Sequence, residues 1–441
     1  MAECNVVHEP GRDTPIHTAC DVLVVGGGPA GCAAAAAAAQ MGADTLLVER
    51  YGILGGMSTG GLVVWIDRMS DWKGIQIVAG FGDELLGRLP ADAILGPPKE
   101  LAGSNEPEIV EYWRHRACAF RDTITWSPTV DPEMLKIAYF ELLFEKKVRL
   151  LLHSWVVAPI MKENAIGGVI FESKSGRRAI TAKVVIDATG DGDVFAMAGA
   201  QFESDIYENS IHHQINVAFL WTNIDFVRYL QFKLEHPEEF QCIADQAKAD
   251  GMDVSAHVLP HADTCVFMGP RLPGYSCLCV EDLTEVEIQS RRRMTKMLEF
   301  FRSKIPGFEK ARIMTTAPQV GVRHSRRLVG VKKMMQADWM SGRIHADEIG
   351  VVPPPEPEYT NVSIPLGCLI PKELDQLMAA GRNLSCDAVT HVFMREIPYC
   401  WVMGQASGVA AAIAANSGKS PGDVDISEVK RFLKAQGAWL R

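Results

Sequence analysis

The stretch Asp21-Val22-Leu23-Val24-Val25-Gly26-Gly27-Gly28-Pro29-Ala30-Gly31 decides how this chain folds. A short apolar run leads straight into glycines, which reads as a buried parallel strand. The alanine-rich run from Pro29 to Met41 reads as a helix stopped by Gly42, and Thr45 to Val48 as a second strand. Together they form a β–α–β unit with short turns. The spacing Gly26-x-Gly28-x-x-Gly31 is a weak signal by itself, but here it stands between a strand and a helix, as dinucleotide binding requires. Gly26 permits the tight turn, Gly28 lets the backbone approach a pyrophosphate, and Gly31 lets the helix lie close on the sheet. The helix start at Pro29 and Ala30 offers unpaired N–H groups and a positive dipole end to phosphates. Glu49 closes the second strand 23 residues after Gly26, where an acid binds ribose hydroxyls.

The residues past Glu49 supply a second glycine-rich turn: Arg50-Tyr51-Gly52-Ile53-Leu54-Gly55-Gly56-Met57-Ser58. Such a turn brings further backbone N–H groups to a long dinucleotide. A strand at Lys183–Asp187 then runs into Ala188-Thr189-Gly190-Asp191, and Gly381-Arg382 precedes a helix that carries Gly404-Gln405-Ala406-Ser407-Gly408. These pieces, in this order, resemble the large FAD-dependent oxidoreductase superfamily with the glutathione-reductase type of nucleotide domain. Within it they are most similar to the branch of fumarate reductase and succinate dehydrogenase flavoproteins and thiazole-synthase-like proteins, over residues 20–416. The resemblance implies FAD as cofactor and an α/β fold: a Rossmann-like FAD-binding domain with a parallel central sheet, plus an inserted α+β substrate domain. It puts Gly26, Gly28, Gly31, Glu49 and Gly56 on the adenosine and pyrophosphate, with Pro29, Ala30, Arg50, Gly55, Met57 and Ser58 beside them. Val156 would touch adenine, and Ala188, Thr189, Gly190 and Asp191 would lie near the dinucleotide. Gly404 and Gln405 would lie near the isoalloxazine, with Gly408 one turn on. Relatives often carry a histidine beside an acid after the Gly-Arg pair; here Asp387 is followed by Ala388, so that histidine is not carried over. His391 reads as a packing or hydrogen-bonding residue.

A chain of 441 residues with 47% hydrophobic and 22% charged residues buries a sizeable core. A formal charge of −10 argues against a nucleic-acid surface. The eleven cysteines include no CxxC, which disfavours a zinc ribbon or iron–sulfur cluster and reads as reduced thiols. No secretory signal is visible and the alanine run is too short to span a bilayer, so the expectation is a cytoplasmic protein without membrane insertion.

The expected organisation is an FAD-binding domain at 18–200 with an insertion at 65–130, a substrate domain at 201–364, and a C-terminal return to the FAD domain at 365–441. Asp131-Pro132 starts a helix to about Glu145. Strands are expected at Val148–Leu152, Trp155–Met161, Gly167–Glu172 and Lys183–Asp187, with long polar helices around 224–250 and 282–303. The prolines Pro353, Pro354, Pro355 and Pro357 mark a linker.

No second GxGxxG follows a strand, so electrons are expected from a small organic substrate, possibly anionic, with an unidentified acceptor and no dedicated nicotinamide domain. The simplest reaction is a dehydrogenation; reduction of an activated double bond, or an FAD-bearing subunit without turnover, stays open, as does a homo-oligomer. The helix from about Pro398 is expected to aim its N-terminus at the flavin, its flat face at Gly404, Gly408 and Ala412 suiting a ring or a strand. For substrate handling, Arg323-His324-Ser325-Arg326-Arg327 combines guanidinium forks for an anion with a histidine that could move a proton. On a strand, Arg323, Ser325 and Arg327 would share one face, with His324 and Arg326 on the other. His324, Arg326 and Arg395 are the catalytic candidates, with Tyr399, Cys400 and the pair His212-His213 as further pocket residues and no metal ligand set.

Overall fold

The computed structural model describes residues 7–114, 119–204, 214–252 and 254–441. Strand β1 (Ile16–Val25), helix α1 (Pro29–Gln40) and strand β2 (Thr45–Val48) form the first unit. Helix α2 (Pro132–Glu145) and strands β3 (Arg149–Leu151), β4 (Trp155–Lys162), β5 (Ala165–Ser173) and β6 (Gly176–Asp187) come next. Strand β7 (Leu377–Ala379) and helices α3 (Ala388–Met394), α4 (Ile397–Ser417) and α5 (Ile426–Ala435) complete it. Strands β3-β2-β1-β6-β7 lie side by side and all run parallel. The first half of β6 pairs antiparallel with β5, and β5 with β4, while its last three residues pair with β7. One strand thus serves the parallel sheet and a three-stranded meander, which is why it is longer than the apolar stretch Lys183–Asp187 alone suggested.

Helix α1 is buried from Ala30 to Ala38, and α4 from Ile397 almost to its end. α4 is the single described helix long and apolar enough to cross a membrane, and it sits inside the protein. Its flat face at Gly404 and Gly408 lies on α1 and not on a strand. A Cβ on Gly404 would stand 2.1 Å from the Ala30 carbonyl oxygen, and one on Gly408 2.1 Å from that of Ala34. Four residues along α4 correspond to four along α1, so the two helices run parallel and nearly touch backbone to backbone. α2 starts at Pro132 as expected, capped by the Asp131 carboxylate, which accepts from Glu133 N and Met134 N.

Residues 214–330 build a second, antiparallel sheet in the order His257–Val258, Cys265–Phe267, Phe219–Thr222, Arg312–Thr316. The 25-residue helix Val280–Lys304 supplies Met294, Met297 and Phe301 to its core, where Trp221, Phe267 and Phe308 meet Phe301 edge to face. The helix expected around 224–250 is two helices, Phe226–Glu235 and Pro237–Ala249, because Pro237 has no N–H to continue the first. The prolines read as a linker are packed instead. Pro353 and Pro354 are buried, and their carbonyls accept from Tyr399, Arg68 and Trp72. The basic stretch is not a strand until Arg327–Leu328. His212 and His213 lie outside the described residues.

In an exposed helix, glycine to alanine would add up to about 1 kcal/mol of stability. Here Gly404→Ala and Gly408→Ala are each expected to lower it by about 1–3 kcal/mol, because the methyl group forces α1 and α4 apart. A fall in the urea midpoint at constant slope checks this, and Gly404→Ala should also loosen cofactor binding because it shifts the start of α1.

Candidate functional site

The carboxyl ends of β1, β2, β6 and β7 converge on one edge of the sheet, stitched by Gly26 N to Val48 O, Ala188 N to Val25 O and Ala380 N to Asp187 O. In such sheets ligands bind in this crevice. Gly26 has φ 104°, and a Cβ on Gly31 would stand 1.8 Å from the Gly26 oxygen, so both glycines are required by the turn itself. Gly28 differs: a Cβ there meets no described atom within 4 Å, so its flank is open to a ligand. Among the described residues no side chain caps α1, whose first N–H groups face the same opening beside Pro29 and Ala30. An anion fits this cradle. Glu49 is buried, its carboxylate accepting from Gly27 N at 2.6 Å and Tyr51 N at 2.8 Å. Burial raises its pKa and these bonds oppose the rise. Arg50 lies over the rings of Tyr51 and Trp155 at the outer end of the crevice.

The second glycine turn crosses the first, with Gly55 N donating to Gly27 O and Gly56 lying against the Gly28 Cα. Ser58, expected on the cofactor, is instead inside the protein. Trp401 Nε1–H can only donate, so Tyr139 accepts from it and passes its own proton to Ser58 Oγ, which donates to Gly55 O. The backbone of Met57 continues this turn, accepting from Val63 N. Tyr139 and Trp401 were not legible from the sequence, since 262 residues separate them. Val156 puts its side chain in the core layer with Val48 and Phe171. Gly404 and Gly408 pack on α1, and the buried Gln405 accepts from Phe81 N and donates to Gln436 O. In the protein itself all three serve packing.

The loop after β6 is held from two sides. Asp187, fully buried, accepts from Thr189 N, Thr189 Oγ1 and Phe195 N, and burial raises its carboxyl to about 6. Arg382 pairs with Asp191 and donates to Gly190 O and Val322 O, while Arg326 donates to Asp191 O and Asp193 Oδ1, each at 3.0 Å. Arg326 thus secures the dinucleotide loop and is not free to hold a substrate anion. Arg327 is likewise engaged, with Glu203, Cys386 O and His324.

His324 is no proton shuttle either, because both ring nitrogens are occupied. The Arg382 carbonyl can only accept, so His391 Nε2 carries the proton of their 2.8 Å bond. Burial, reinforced by His324, holds His391 well below the usual histidine pKa, so it is neutral and its Nδ1 accepts. His324 Nδ1 must then donate across 3.2 Å, leaving its Nε2 to accept from Arg327 at 2.9 Å. The relay Arg327–His324–His391–Arg382 O joins the basic stretch to the dinucleotide loop.

Arg395 is the least engaged of the catalytic candidates: Arg326 also has a buried Nε without a partner among the described residues, but its Nη1 is bound to Asp191 O and Asp193. Arg395 precedes α4, pairs with Glu396 at 3.5 Å, and its buried Nε has no hydrogen-bond partner among the described residues. α4 itself starts without a side-chain cap. Since Gly404 stands beside Ala30, the seven residues Ile397–Met403 carry this helix start about 10 Å beyond that of α1. Near the second glycine turn, Gln319 N donates to Gly60 O.

Two outcomes follow. Glu49→Ala should weaken FAD retention by roughly 1.5–3 kcal/mol, the worth of a hydrogen bond to a charged group, as read by titration of the apoprotein. For His391, the folded state binds its proton less readily than the unfolded chain, so stability falls as pH drops below about 6.5, by up to about 1.4 kcal/mol per pH unit. Urea unfolding between pH 7 and pH 5 should show a slope one proton smaller in His391→Gln.

The family model for FAD dependent oxidoreductases matches residues 21–433. Among solved structures the chain is similar to a geranylgeranyl bacteriochlorophyll reductase-like protein from Thermoplasma acidophilum, at 15% identity over 96% of this chain and 84% of that one, TM-score 0.45. It is similar to p-nitrophenol 4-monooxygenase from Pseudomonas putida at 12% identity over 95% and 84%, TM-score 0.49. It is also similar to an L-amino acid deaminase from Proteus vulgaris at 14% identity over 96% and 95%, TM-score 0.42. At such identities these likenesses say nothing about the reaction. No curated protein matches the chain. With a strand–glycine–helix cradle, an acid at the end of β2 and a family match over nearly its whole length, the chain belongs to the FAD-dependent oxidoreductase family, and FAD is its cofactor.

Proposed function

We propose that the protein dehydrogenates a small organic substrate bearing an anionic group, passing a hydride to FAD. The observation that carries this reading is Arg395, a guanidinium with a buried, unpaired Nε at the uncapped start of α4. A carboxylate there would complete the hydrogen bonding of Arg395 and meet the positive end of the helix dipole. The anion site thus moves from the basic stretch 323–327, whose Arg326 and Arg327 grip protein groups, to the helix start. Gly28, the start of α1 and Glu49 would hold the dinucleotide. Bound FAD supplies the two-electron acceptor; the chain's part is to bind and orient the substrate, keep water out and take up the proton. The described residues contain one parallel β–α–β sheet, and the remaining sheets are antiparallel, which favours an organic electron donor over a nicotinamide.

Anaerobic mixing of the holoprotein with small carboxylates tests the proposal. A substrate that bleaches the flavin is expected, and NADH or NADPH should reduce it slowly and without saturation. Arg395→Ala should weaken binding of that substrate by about 2–5 kcal/mol, roughly thirty- to several-thousand-fold, at normal FAD content. Fast, saturable reduction by NADPH would overturn the reading. Rapid oxidation of prereduced protein by an activated alkene would reverse its direction.

A further inference from the structure

The start of α4 gathers charged side chains from two parts of the chain. Asp67 lies on the loop that follows the second glycine turn, its side chain 17% exposed but its Oδ1 buried and without a hydrogen bond among the described residues. Arg68 Nε stands 3.5 Å from that oxygen. Arg68 cannot turn freely toward it, because its Nη1 donates to Pro354 O at 2.9 Å and Pro355 O at 3.0 Å, and its backbone is held at φ 63°. A residue that tolerates positive φ without being glycine marks local strain kept by its surroundings. Arg395 and Glu396 act on Asp67 from the start of α4, and Tyr399 lies in the same charge field while donating to Pro353 O. A buried acceptor oxygen and a buried donor nitrogen, on Asp67 and Arg395, are therefore both left open beside an uncapped helix start. Buried polar atoms without partners are costly, so each calls for a physical cause, and a ligand that completes the pair is one.

We propose that Asp67 is the proton acceptor of the reaction, facing the substrate that Arg395 holds. The step rests on the hydride-transfer reading above. As the substrate carbon loses its hydrogen with the electron pair to FAD, Asp67 takes the proton from the neighbouring oxygen or nitrogen. The C–H and O–H or N–H bonds break, the C=O or C=N bond forms, and the carboxylate becomes a carboxylic acid. Burial is the main cause that raises the Asp67 carboxyl to about 6; Arg68, a hydrogen bond with Ser127 and Arg395 oppose the rise, and Glu396 adds to it. Near that value a base is ionised at neutral pH yet still basic enough to accept a proton in the transition state.

The holoprotein tests this without a substrate. Reduction places negative charge on the cofactor, which raises the pKa of a nearby carboxyl. Above pH 6 the wild type should then take up one extra proton per two electrons. Its midpoint potential should fall by a further factor of ten per pH unit in equilibrium terms, about 30 mV for a two-electron couple. Asp67→Asn should lose this extra slope, and Asp67→Glu should restore part of it, with FAD content and unfolding temperature unchanged in both. With a substrate that bleaches the flavin, Asp67→Asn should slow reduction about a hundredfold and remove the acid limb of its pH profile, with little change in substrate affinity. Equal slopes in wild type and Asp67→Asn would overturn the assignment, as would an unchanged reduction rate. Failure of every organic donor to bleach the flavin would instead overturn the hydride-transfer reading, leaving the potential measurement to judge Asp67.

Discussion

The close parallel approach of α1 and α4 is the constraint on which the rest of the site depends. Two glycines let the backbone of α4 come within van der Waals distance of the Ala30 and Ala34 carbonyls, and larger side chains at either place would separate the helices. The alanines of α1 answer them with equally small side chains. Because the helices run in the same direction, their positive ends point to the same edge of the sheet, offset by about 10 Å. One end meets open space at Gly28 and the other meets Arg395. A single packing contact thereby sets the separation between the phosphate cradle and the place where substrate chemistry is proposed. Ser407 fixes the arrangement to the sheet by donating to Ala379 O at the end of β7.

Around this pair, polar groups that look like surface charge are structural. Arg382 and Arg326 close on the loop Gly190–Asp193 from different parts of the chain, and the two neutral histidines extend the grip to Arg327. Removing one member of such a partly buried set leaves its partner uncompensated, which is more damaging than the net worth of the pair. The result is a loop cross-linked from several parts of the chain, with Arg326 Nε left without a hydrogen-bond partner among the described residues. At the start of α4, Asp67 Oδ1 and Arg395 Nε also lack hydrogen-bond partners among the described residues, there beside a helix without a side-chain cap.

The proline segment 353–355 contributes to both. Its carbonyls accept from Arg68, Trp72 and Tyr399, which spends the phenol of Tyr399 and the Nη1 of Arg68 on structure. Proline carbonyls suit this task because the residues have no N–H to satisfy in return. Asp67 and Arg395 keep ion pairs with Arg68 and Glu396, but Asp67 Oδ1 and Arg395 Nε have no hydrogen bond among the described residues.

The amino-acid sequence by itself determined the nucleotide-binding unit. Glycine spacing after an apolar strand, an alanine helix and an acid at the end of the next strand are local patterns, and local patterns follow from backbone sterics and side-chain periodicity. The parallel sheet, the cradle at Gly28 and the position of Glu49 were legible for that reason. Only the tertiary structure decided which charges are free. Arg326 and Arg395 look alike in sequence, and each has a buried Nε without a partner among the described residues, yet Arg326 Nη1 grips Asp193 while Arg395 has only the looser pair with its neighbour Glu396. The resemblance put Gly404 near the isoalloxazine, and its flat helix face suits a ring or a strand; its packing partner is Ala30, hundreds of residues earlier, which spacing does not reveal. Asp67 carried no motif at all. Hydrogen-bond satisfaction depends on partners distant in the chain, and no spacing rule encodes it.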